Sequence, residues 1–355
     1  VYVGTDVRSA ACAGSFENEF EVVEQLREAY APVAGFKRMH PELMDAQTEI
    51  TAQTDEALYT MHYEDVPLRT VNPKERISAR RMADIPYTGD VGIRLGDVYH
   101  GTHTMEEFVA QLSDNDLICL FRGEGMCSPK VTPGTGAAFG GLTESLRSFG
   151  IPAACCTDGP SGLRFDCGTK AFSLPNGTLL GCTFHVSLVE ELYHMLGLEM
   201  RKNRVDALLG PGMNIHRHPL NGRNFEYISE DPLLTGKMAA VQIAGMNQAG
   251  VAGTAKHFCA NNQETNRRKV NSVISERALR EIYLKGFEVA VEEGGCRAIM
   301  TTYGPVNGIW TAGSYDLIEE ILRNEWGFTG FVMTDWWAES NVEGKDSSMK
   351  THAPM

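Results

Sequence analysis

The stretch Val251-Ala-Gly-Thr-Ala-Lys-His-Phe258 is a short apolar run that ends in two polar side chains, Lys256 and His257. A run of this length predicts a buried strand, and the polar residues at its end are candidates for catalytic or binding side chains. Four further runs of the same kind occur, at residues 151–157, 205–210, 297–303 and 331–334. Helical patterns lie between or beside them, at residues 187–202, 235–248, 275–293 and 315–326.

This alternation of strands and helices predicts an α/β protein with a parallel sheet. We predict a (β/α)8-like (TIM) barrel, in which chemistry takes place at the carboxyl ends of the strands. Seven polar residues occupy that position: Asp158, His216, His218, Lys256, His257, Tyr303 and Asp335. An open, doubly wound sheet would place polar groups similarly, but no glycine-rich phosphate-binding fingerprint follows any run, so a nucleotide-binding fold is disfavoured.

The part of the chain before the barrel has a different character. Residues 1–10 predict a strand, whereas residues 31–103 are irregular and contain scattered prolines, which predicts a linker. Thr104 and Glu107 then form a capping-box pattern, which predicts the start of a helix that runs to about Leu120.

The composition is that of an ordinary globular protein, with 43% hydrophobic and 22% charged residues in a chain of 355. The formal net charge of -14 argues against binding to nucleic acid or to an anionic membrane, since both require basic patches. No secretion signal, transmembrane run or lipidation motif is visible. The nine cysteines show no regular spacing, which predicts reduced thiols and a cytoplasmic protein.

Asp335 lies in Val332-Met-Thr-Asp-Trp-Trp337, at the end of an apolar run and beside two aromatic side chains. A carboxylate in this place can attack an anomeric carbon while an aromatic ring stacks on the apolar face of a sugar. The same pattern also fits a helix N-cap that is followed by core tryptophans. Both interpretations are open on the local pattern.

Two other strand ends also allow two interpretations each. Lys256 and His257 can donate hydrogen bonds to sugar hydroxyls, or they can be a solvated lysine and a buried histidine with protein partners. Asp158 begins the turn Asp158-Gly-Pro-Ser-Gly-Leu-Arg164, where its carboxylate can accept bonds from neighbouring hydroxyls or simply stabilise an Asp-Gly turn.

The richest polar stretch runs from His216 to Pro232. So many polar groups are costly to bury unless they satisfy one another. One interpretation is a hydrogen-bonded floor from which Arg223 reaches a substrate. The other is a metal-dependent hydrolase, in which the His216-x-His218 pair ligates a metal together with His257 and Asp335.

Six stretches carry a resemblance to a known family. They are Asp158-Gly-Pro-Ser-Gly, Gly222-Arg-Asn-Phe-Glu-Tyr-Ile-Ser-Glu-Asp-Pro232, Lys256-His-Phe-Cys-Ala-Asn-Asn-Gln-Glu264, Ser275-Glu-Arg-Ala-Leu-Arg-Glu281, Met300-Thr-Thr-Tyr303 and Thr334-Asp-Trp336. Together and in this order they resemble glycoside hydrolase family 3, on its β-glucosidase side. The resemblance implies a (β/α)8-like barrel followed by an α/β sandwich, often with a fibronectin-type-III-like domain. It also implies retaining hydrolysis of β-linked sugars.

The resemblance also implies roles for individual residues. Asp335 matches the nucleophile, Trp336 the aromatic residue beside it, and Tyr303 a tyrosine near it. The residues that match the family's glycone-binding positions are Asp158, Arg223, Lys256 and His257. The expected substrate is an oligosaccharide or a β-glucoside. Neither a metal nor another cofactor is expected.

One departure from the family concerns the order of the domains. Residues 1–30 resemble the end of the fibronectin-like domain, residues 31–103 would be a linker, and residues 104–355 would be a barrel truncated at its C-terminus. This order implies a permuted member of which the chain is a fragment, with the sandwich and the fibronectin-like domain upstream. The acid/base glutamate would then lie outside the chain, and a non-catalytic sugar-binding fragment is the alternative.

Overall fold

The computed structural model describes residues 2–4, 22–25, 30–43, 59–80, 83–336 and 338. In the first part of the chain, strand β1 (Tyr2–Gly4) pairs antiparallel with β2 (Val22–Gln25). A second antiparallel pair consists of β3 (Lys37–Leu43) and β4 (Tyr59–Asp65), and a short helix, α1 (Pro73–Ala79), follows it. The segment predicted as a linker therefore contains regular structure, while the predicted domain boundaries stay a prediction.

The remaining strands form one larger sheet and one small pair. In chain order they are β5 (Ala137–Gly140), β6 (Ala153–Asp158), β7 (Ala207–Leu209), β8 (Ala252–Phe258), β9 (Ala298–Thr301), β10 (Pro305–Val306), β11 (Ile309–Trp310) and β12 (Phe331–Met333). The larger sheet has the order β5-β6-β7-β8-β9-β12, and β10 pairs with β11 alone. All five predicted strands after residue 150 are present in this sheet, as β6, β7, β8, β9 and β12.

The helices lie between these strands. They are α2 (Leu95–Tyr99), α3 (Met105–Val109), α4 (Asp114–Arg122), α5 (Glu144–Ser148), α6 (Gly177–Cys182), α7 (Val186–Lys202), α8 (Pro232–Gln248), α9 (Glu276–Ala278) and α10 (Lys285–Glu292). A π-helical turn, Leu279–Tyr283, joins α9 to α10, and a π-helical segment, Asp316–Glu325, precedes β12. The helices predicted after residue 180 are thus confirmed.

The direction of β5 corrects the expectation of a wholly parallel sheet. The pairs β6/β7, β7/β8, β8/β9 and β9/β12 are parallel, whereas β5 and β6 are antiparallel. The chain between β5 and β6 is short and contains only α5, and the N–H of Gly141 donates to the carbonyl of Pro152. A connection that turns back at the same end of the sheet can join only antiparallel strands.

The predicted helix that starts at Thr104 is shorter than expected. Both bonds of the capping box between Thr104 and Glu107 are present, but α3 ends at Val109. A second capping box, between Ser113 and Asp116, then starts α4. Because the Ser113 hydroxyl accepts from the Asp116 N–H, Ser113 favours a new helix start over continuation of α3.

Three helices pack side by side on one face of the sheet: α7, α8 and α10. The middle helix, α8, is apolar over most of its surface, as expected for a helix with a neighbour on each side. Gly245 allows the close approach to α7, because a β-carbon there would lie 2.3 Å from the carbonyl oxygen of Glu190.

The larger sheet curls and is covered by helices, which corresponds to an incomplete TIM-like barrel. Within the described residues, no strand joins β12 back to β5. The carboxyl ends of β6, β8, β9 and β12 lie at one edge, because these strands run parallel. In that same part of the chain, no helix is both long and apolar enough to cross a membrane.

Tyr30 connects the first part of the chain to the barrel. Its side chain is fully buried, and its hydroxyl donates to the carbonyl of Ile309 at 3.2 Å. Its backbone is held at both ends, since its N–H donates to Glu276 and its carbonyl accepts from Asn307 at 2.7 Å. The guanidinium of Arg69 lies 5.0 Å from the centre of its ring. Tyr30 therefore acts as an anchor for the segment that follows it.

Replacing Tyr30 by Ala is expected to lower the free energy of unfolding by about 3–5 kcal/mol, because a large cavity forms in a packed site. Tyr30→Phe keeps the ring and removes only the hydroxyl, whose partners are the carbonyl of Ile309 and the side chain of Ser314, and it is expected to cost about 1 kcal/mol. Urea unfolding followed by circular dichroism measures both. Tyr99, which is 86% exposed, provides the control, since Tyr99→Ala should change stability little. Equal effects of Tyr30→Ala and Tyr99→Ala would contradict the anchor.

Candidate active site

Asp335 lies directly beyond β12, after Thr334, at the carboxyl edge of the sheet. Its side chain is 13% exposed, and its Oδ1 accepts from the backbone N–H of Trp336 at 2.8 Å. Its backbone carbonyl accepts from the N–H of Ala338, so the chain turns at this carboxylate. The turn presents the carboxylate to the end of the barrel, where the other strand-end residues lie.

Burial raises the pKa of Asp335 to about 6, against the opposing effect of the nearby cations Lys256, Arg223 and Arg267. The carboxyl group therefore changes its charge state near neutral pH and is mostly ionised above pH 6. A buried carboxylate with several cations nearby is typical of a functional site rather than of a simple structural turn.

Lys256 and Asp158 form an ion pair across the ends of β8 and β6. The Lys256 Nζ donates to Oδ1 of Asp158 at 2.9 Å, and the lysine side chain is 4% exposed whereas the aspartate is 40% exposed. Burial acts to raise the pKa of Asp158, but the charge and hydrogen bond of Lys256, the N–H of Gly159 and the charge of Arg223 together outweigh it, so the pKa lies below its usual value. Lys256 is therefore a buried lysine with an ionic partner, which excludes the alternative of a solvated lysine.

His257 is fully enclosed, and its contacts define its protonation. Burial, followed by the charges of Arg223, Lys256 and Arg267, lowers the pKa of His257 well below its usual value, so the ring is neutral. The Nη2 of Arg223 lies 3.1 Å from Nε2, and an arginine can only donate, so Nε2 is the acceptor. The proton is then on Nδ1, which donates to the hydroxyl of Tyr227 at 3.2 Å.

The neutral His257 also lies near Asp335, with 3.6 Å between Nε2 and Oδ2. Because Nε2 carries no proton in this tautomer, it cannot donate to the carboxylate. His257 and Asp335 are therefore in close contact but are not joined by a hydrogen bond from the ring. Because His257 is neutral at neutral pH, the two side chains do not form an ion pair there.

The polar stretch from His216 to Pro232 forms a hydrogen-bonded network. Arg223 donates to Oε1 of Glu226 at 2.6 Å, and its Nη1 lies 3.8 Å from Glu264. Asp231 caps α8 by accepting from the N–H of Leu234. This arrangement supports the interpretation of this stretch as a floor that carries Arg223 to the side of His257.

The metal interpretation receives no support from the same stretch. His218 is exposed, and its Nδ1 accepts from the N–H of Leu220, whereas His216 is half-buried. Across the described ranges, no group of three or more His, Cys, Asp or Glu side chains could hold a metal ion. The expected set of His216, His218, His257 and Asp335 is therefore not assembled as a ligand group.

Tyr303 and Trp336 also lie close to Asp335. The Tyr303 hydroxyl donates to the backbone carbonyl of Trp336, so the two residues are joined. Burial, followed by the charge of Asp335, raises the pKa of Tyr303 to about 12. The Trp336 ring packs over Gly136, where a β-carbon would lie 2.2 Å from the ring, so glycine is needed beneath it. The structure thus brings together, at one end of the sheet, the residues that match the family's nucleophile and glycone-binding positions: Asp335, Asp158, Arg223, Lys256, His257, Tyr303 and Trp336.

Three residues near Asp335 were not predicted as site residues: Arg267, Tyr227 and Asn261. Asn261 donates to the Tyr227 hydroxyl at 2.8 Å, and Tyr227 in turn accepts from His257. The dense polar run Asn261-Asn-Gln-Glu-Thr-Asn-Arg-Arg268 directly after β8 was the signal that could have identified two of them.

Three glutamates in the polar stretches, at positions 226, 230 and 264, could in principle supply a second catalytic carboxyl group. Glu226 is paired with Arg223, and Glu264 is paired with Arg267 at 3.0 Å and bonded by Asn261. Glu230 is exposed at the surface. The carboxyl groups of Glu226 and Glu264 are thus already engaged by arginines, which does not suit a group that must donate to a leaving group.

The chain is similar to known proteins over its whole length. Residues 106–352 match the model of the glycosyl hydrolase family 3 N terminal domain. A beta-glucosidase of Ruminococcus albus is 61% identical over 355 residues, which is 100% of this chain and 36% of that protein. Beta-glucosidase A of Butyrivibrio fibrisolvens is 36% identical over 350 residues, 95% of this chain and 41% of that protein.

Solved structures give the same result. A beta-glucosidase from Paenibacillus barengoltzii superposes with a TM-score of 0.83 at 56% identity, over 90% of this chain and 33% of that chain. Beta-glucosidase 3B from Thermotoga neapolitana in complex with glucose gives a TM-score of 0.61 at 38% identity, over 66% of this chain and 35% of that chain. The chain spans about a third of the length of these relatives. It belongs to glycoside hydrolase family 3 and contains the N-terminal domain of that family.

Proposed function

We propose that the protein containing this chain is a β-glucosidase that cleaves its substrate with retention and uses Asp335 as the nucleophile. The observation that carries this proposal is the buried carboxylate of Asp335 at a strand end, with Lys256, Arg223 and His257 around it. The names of the relatives, all beta-glucosidases, support the same reaction.

The chemistry of this step follows from the charge state of Asp335. In a retaining glycosidase the carboxylate attacks the anomeric carbon, and water later releases the sugar from the covalent intermediate. The attack requires the ionised form, which predominates above pH 6 because the pKa of Asp335 is about 6. Lys256 and Arg223 favour that form, since both place positive charge near the carboxylate.

The glycone is proposed to bind between the Lys256–Asp158 pair and the Arg223–His257 pair. Lys256 has three donors, of which one goes to Asp158, and the partly exposed Asp158 can accept from a sugar hydroxyl. Arg223 can offer further donors in a fixed plane. Trp336 would supply an aromatic surface for the apolar face of the sugar, and Tyr303 holds its backbone.

The general acid is proposed to lie outside this chain. Retaining enzymes need a second carboxyl group about 5 to 5.5 Å from the nucleophile. Glu226 and Glu264 are paired with arginines, and Glu230 is exposed. The upstream sandwich and fibronectin-like domains remain our proposal for the source of the acid, with the antiparallel β1–β2 pair as a remnant of the latter. The part of the relatives not spanned by this chain has ample length for such domains.

A reducing, cytoplasmic setting is also proposed for this protein. The eight cysteines in the described part of the chain are all free thiols, and four of them are buried: Cys155, Cys156, Cys259 and Cys296. Burial raises the pKa of the Cys296 thiol to about 11, so it behaves as a small apolar side chain rather than as a reactive thiolate.

The proposed nucleophile can be tested by covalent labelling of the complete protein. A 2-deoxy-2-fluoro-β-glucoside with a dinitrophenolate leaving group should inactivate the enzyme, and peptide mapping should place the fluoroglucosyl group on Asp335. The carboxylate oxygen bonds to C1 while the C1–O bond breaks, and its electron pair leaves on the phenolate, which needs no proton. A label on another carboxylate would refute the assignment.

Substituting Lys256 or His257 is expected to weaken the binding of substrate and of glucose without removing a limb of the pH profile. Lysine is only a donor here, and His257 is neutral with its proton directed to Tyr227, so neither is placed to act as the general acid. Lys256→Met and His257→Ala should each raise KM and the inhibition constant for glucose by about tenfold or more. The pH dependence of kcat/KM for each variant is the measurement. If His257→Ala lost the basic limb, His257 would be the acid.

A further inference from the structure

Tyr303 lies between two arginines. The guanidinium carbon of Arg267 is 4.7 Å from the centre of its ring, and that of Arg268 is 5.1 Å away. The Tyr303 side chain is also a hydrogen-bond partner of Arg268. Two cations in contact with one aromatic ring attract its negative faces and restrict its movement. The ring is 5% exposed, so little water competes with these contacts.

Tyr303 is connected to Asp335 through the backbone of one residue, Trp336. The Tyr303 hydroxyl donates to the carbonyl of Trp336, and the N–H of Trp336 donates to Oδ1 of Asp335 at 2.8 Å. Both polar groups of the Trp336 backbone are thereby used, one for Tyr303 and one for the carboxylate. A shift of the Tyr303 ring would move the Trp336 backbone and with it the orientation of the Asp335 carboxylate.

Arg267 is itself held in place from the opposite side. Its Nη1 donates to Oε2 of Glu264 at 3.0 Å, while Oε1 of the same carboxylate accepts from Asn261 at 3.0 Å. Glu264 thus fixes the guanidinium between the polar network below His257 and the ring of Tyr303. The loop after β8 therefore connects the Arg223 side of the site to the Tyr303 side.

We propose that Arg267 and Arg268 are positioning residues for Asp335, which clamp Tyr303 against the Trp336 backbone, and that Arg267 also favours the ionised carboxylate by its charge. This inference rests on the proposed function, because it concerns the orientation and charge of the proposed nucleophile. Arg267 contacts Glu264, and both arginines contact Tyr303, so we expect their effect on the carboxylate rather than on the proposed sugar contacts of Asp158, Lys256 and Arg223.

The charge effect can be separated from the other groups around Asp335. The titratable and charged groups that face it are Lys256 and His257 on β8, Arg223 after β7, Arg267 after β8 and Tyr303 after β9. His257 and Tyr303 are neutral near pH 6, since the pKa of the first is lowered and that of the second is raised to about 12. Removing the Arg267 charge leaves Lys256 and Arg223 to oppose burial, so the pKa of Asp335 should rise further.

The test uses the complete protein and the dinitrophenyl 2-deoxy-2-fluoro-β-glucoside, with the inactivation rate constant measured between pH 4.5 and 8. The inactivation rate constant of the unsubstituted protein, called the parent below, should rise as pH increases through the pKa of Asp335. Arg267→Met should move this midpoint upward by roughly half a pH unit or more. Arg267→Lys keeps the charge and should leave the midpoint within about 0.2 unit of the parent. Arg277→Met removes a charge from an exposed pair with Glu281 and is the matched control, with an unchanged midpoint.

The clamp is tested separately from the charge. Arg268→Met and Tyr303→Phe should each lower the maximal inactivation rate at least about threefold. The variant that carries both substitutions should be no slower than Tyr303→Phe alone, because both substitutions act through the Tyr303 hydroxyl. If Arg267→Met does not fold, Arg268, which is exposed, decides the question through this rate. A midpoint in Arg267→Met equal to that of Arg277→Met, or an unchanged rate in Arg268→Met, would overturn the inference. Failure of the parent to be labelled at Asp335 would instead overturn the proposed function.

Discussion

Replacing Asp335 by Asn in the complete protein is expected to lower kcat for an aryl β-glucoside by about four orders of magnitude or more. The amide keeps the size of the side chain and can keep the bond from the Trp336 N–H at Oδ1, but it cannot form the glycosyl ester. Glucose binding should change by only a few-fold, because the proposed glycone contacts of Asp158, Lys256 and Arg223 remain. Steady-state kinetics and calorimetric titration with glucose measure the two effects.

Two further variants make this result specific. Asp335→Gly opens space at the carboxylate, so added azide should attack C1 of an activated aryl glucoside in its place and restore turnover, with a glucosyl azide of inverted configuration as product. Asp114→Asn, at the exposed start of α4, is the control and should keep nearly full activity. An Asp335→Asn protein with most of its activity would show that another group performs the attack.

The 355-residue chain alone is expected to be a very poor catalyst for natural disaccharides, even when it binds glucose. The leaving oxygen of a disaccharide must receive a proton as its bond breaks, and a positioned acid contributes roughly 10²–10⁴-fold. Glu226 and Glu264 are bound to arginines and are unsuited to that role. Dinitrophenyl β-glucoside, whose phenolate leaves without a proton, should therefore react slowly but measurably, while cellobiose hardly reacts.

The ratio of kcat/KM for these two substrates is the measurement, and the complete protein is the control, because its acid should act on cellobiose. If the chain alone hydrolyses cellobiose efficiently, the acid lies within residues 1–355 and the permuted order loses its main argument. If neither substrate reacts while glucose binds, the chain is a non-catalytic sugar-binding unit.

The places of the site residues were largely predictable from local sequence. Short apolar runs that end in a polar residue are visible without any tertiary information, and Asp158, Lys256 and Asp335 each close such a run at the edge of the sheet. Parallel strands bring their carboxyl ends together, so the prediction of a common site followed from the pattern alone. The capping residues Ser275 and Thr104 were equally local signals.

Other properties depended on groups that are distant in sequence. The direction of β5 follows from a short turn near Gly141 that the strand pattern does not reveal. The tautomer of His257 depends on the contact with Arg223. The alternative of a solvated Lys256 is excluded by the ion pair with Asp158, which forms only across two strands. No periodicity in the sequence reports such contacts.

The sequence by itself thus determined the strand and helix succession, the family and the residues that meet at the carboxyl edge, since each is encoded in residues that are neighbours along the chain. Only the tertiary structure decided how those residues are charged and held. The pKa of Asp335 is about 6 because burial opposes three cations, of which one comes from β8, one from the chain after β7 and one from the loop after β8. Burial and Coulomb interactions depend on distances in space, and for Arg223, Arg267 and Asp335 those distances exist only after the sheet has formed.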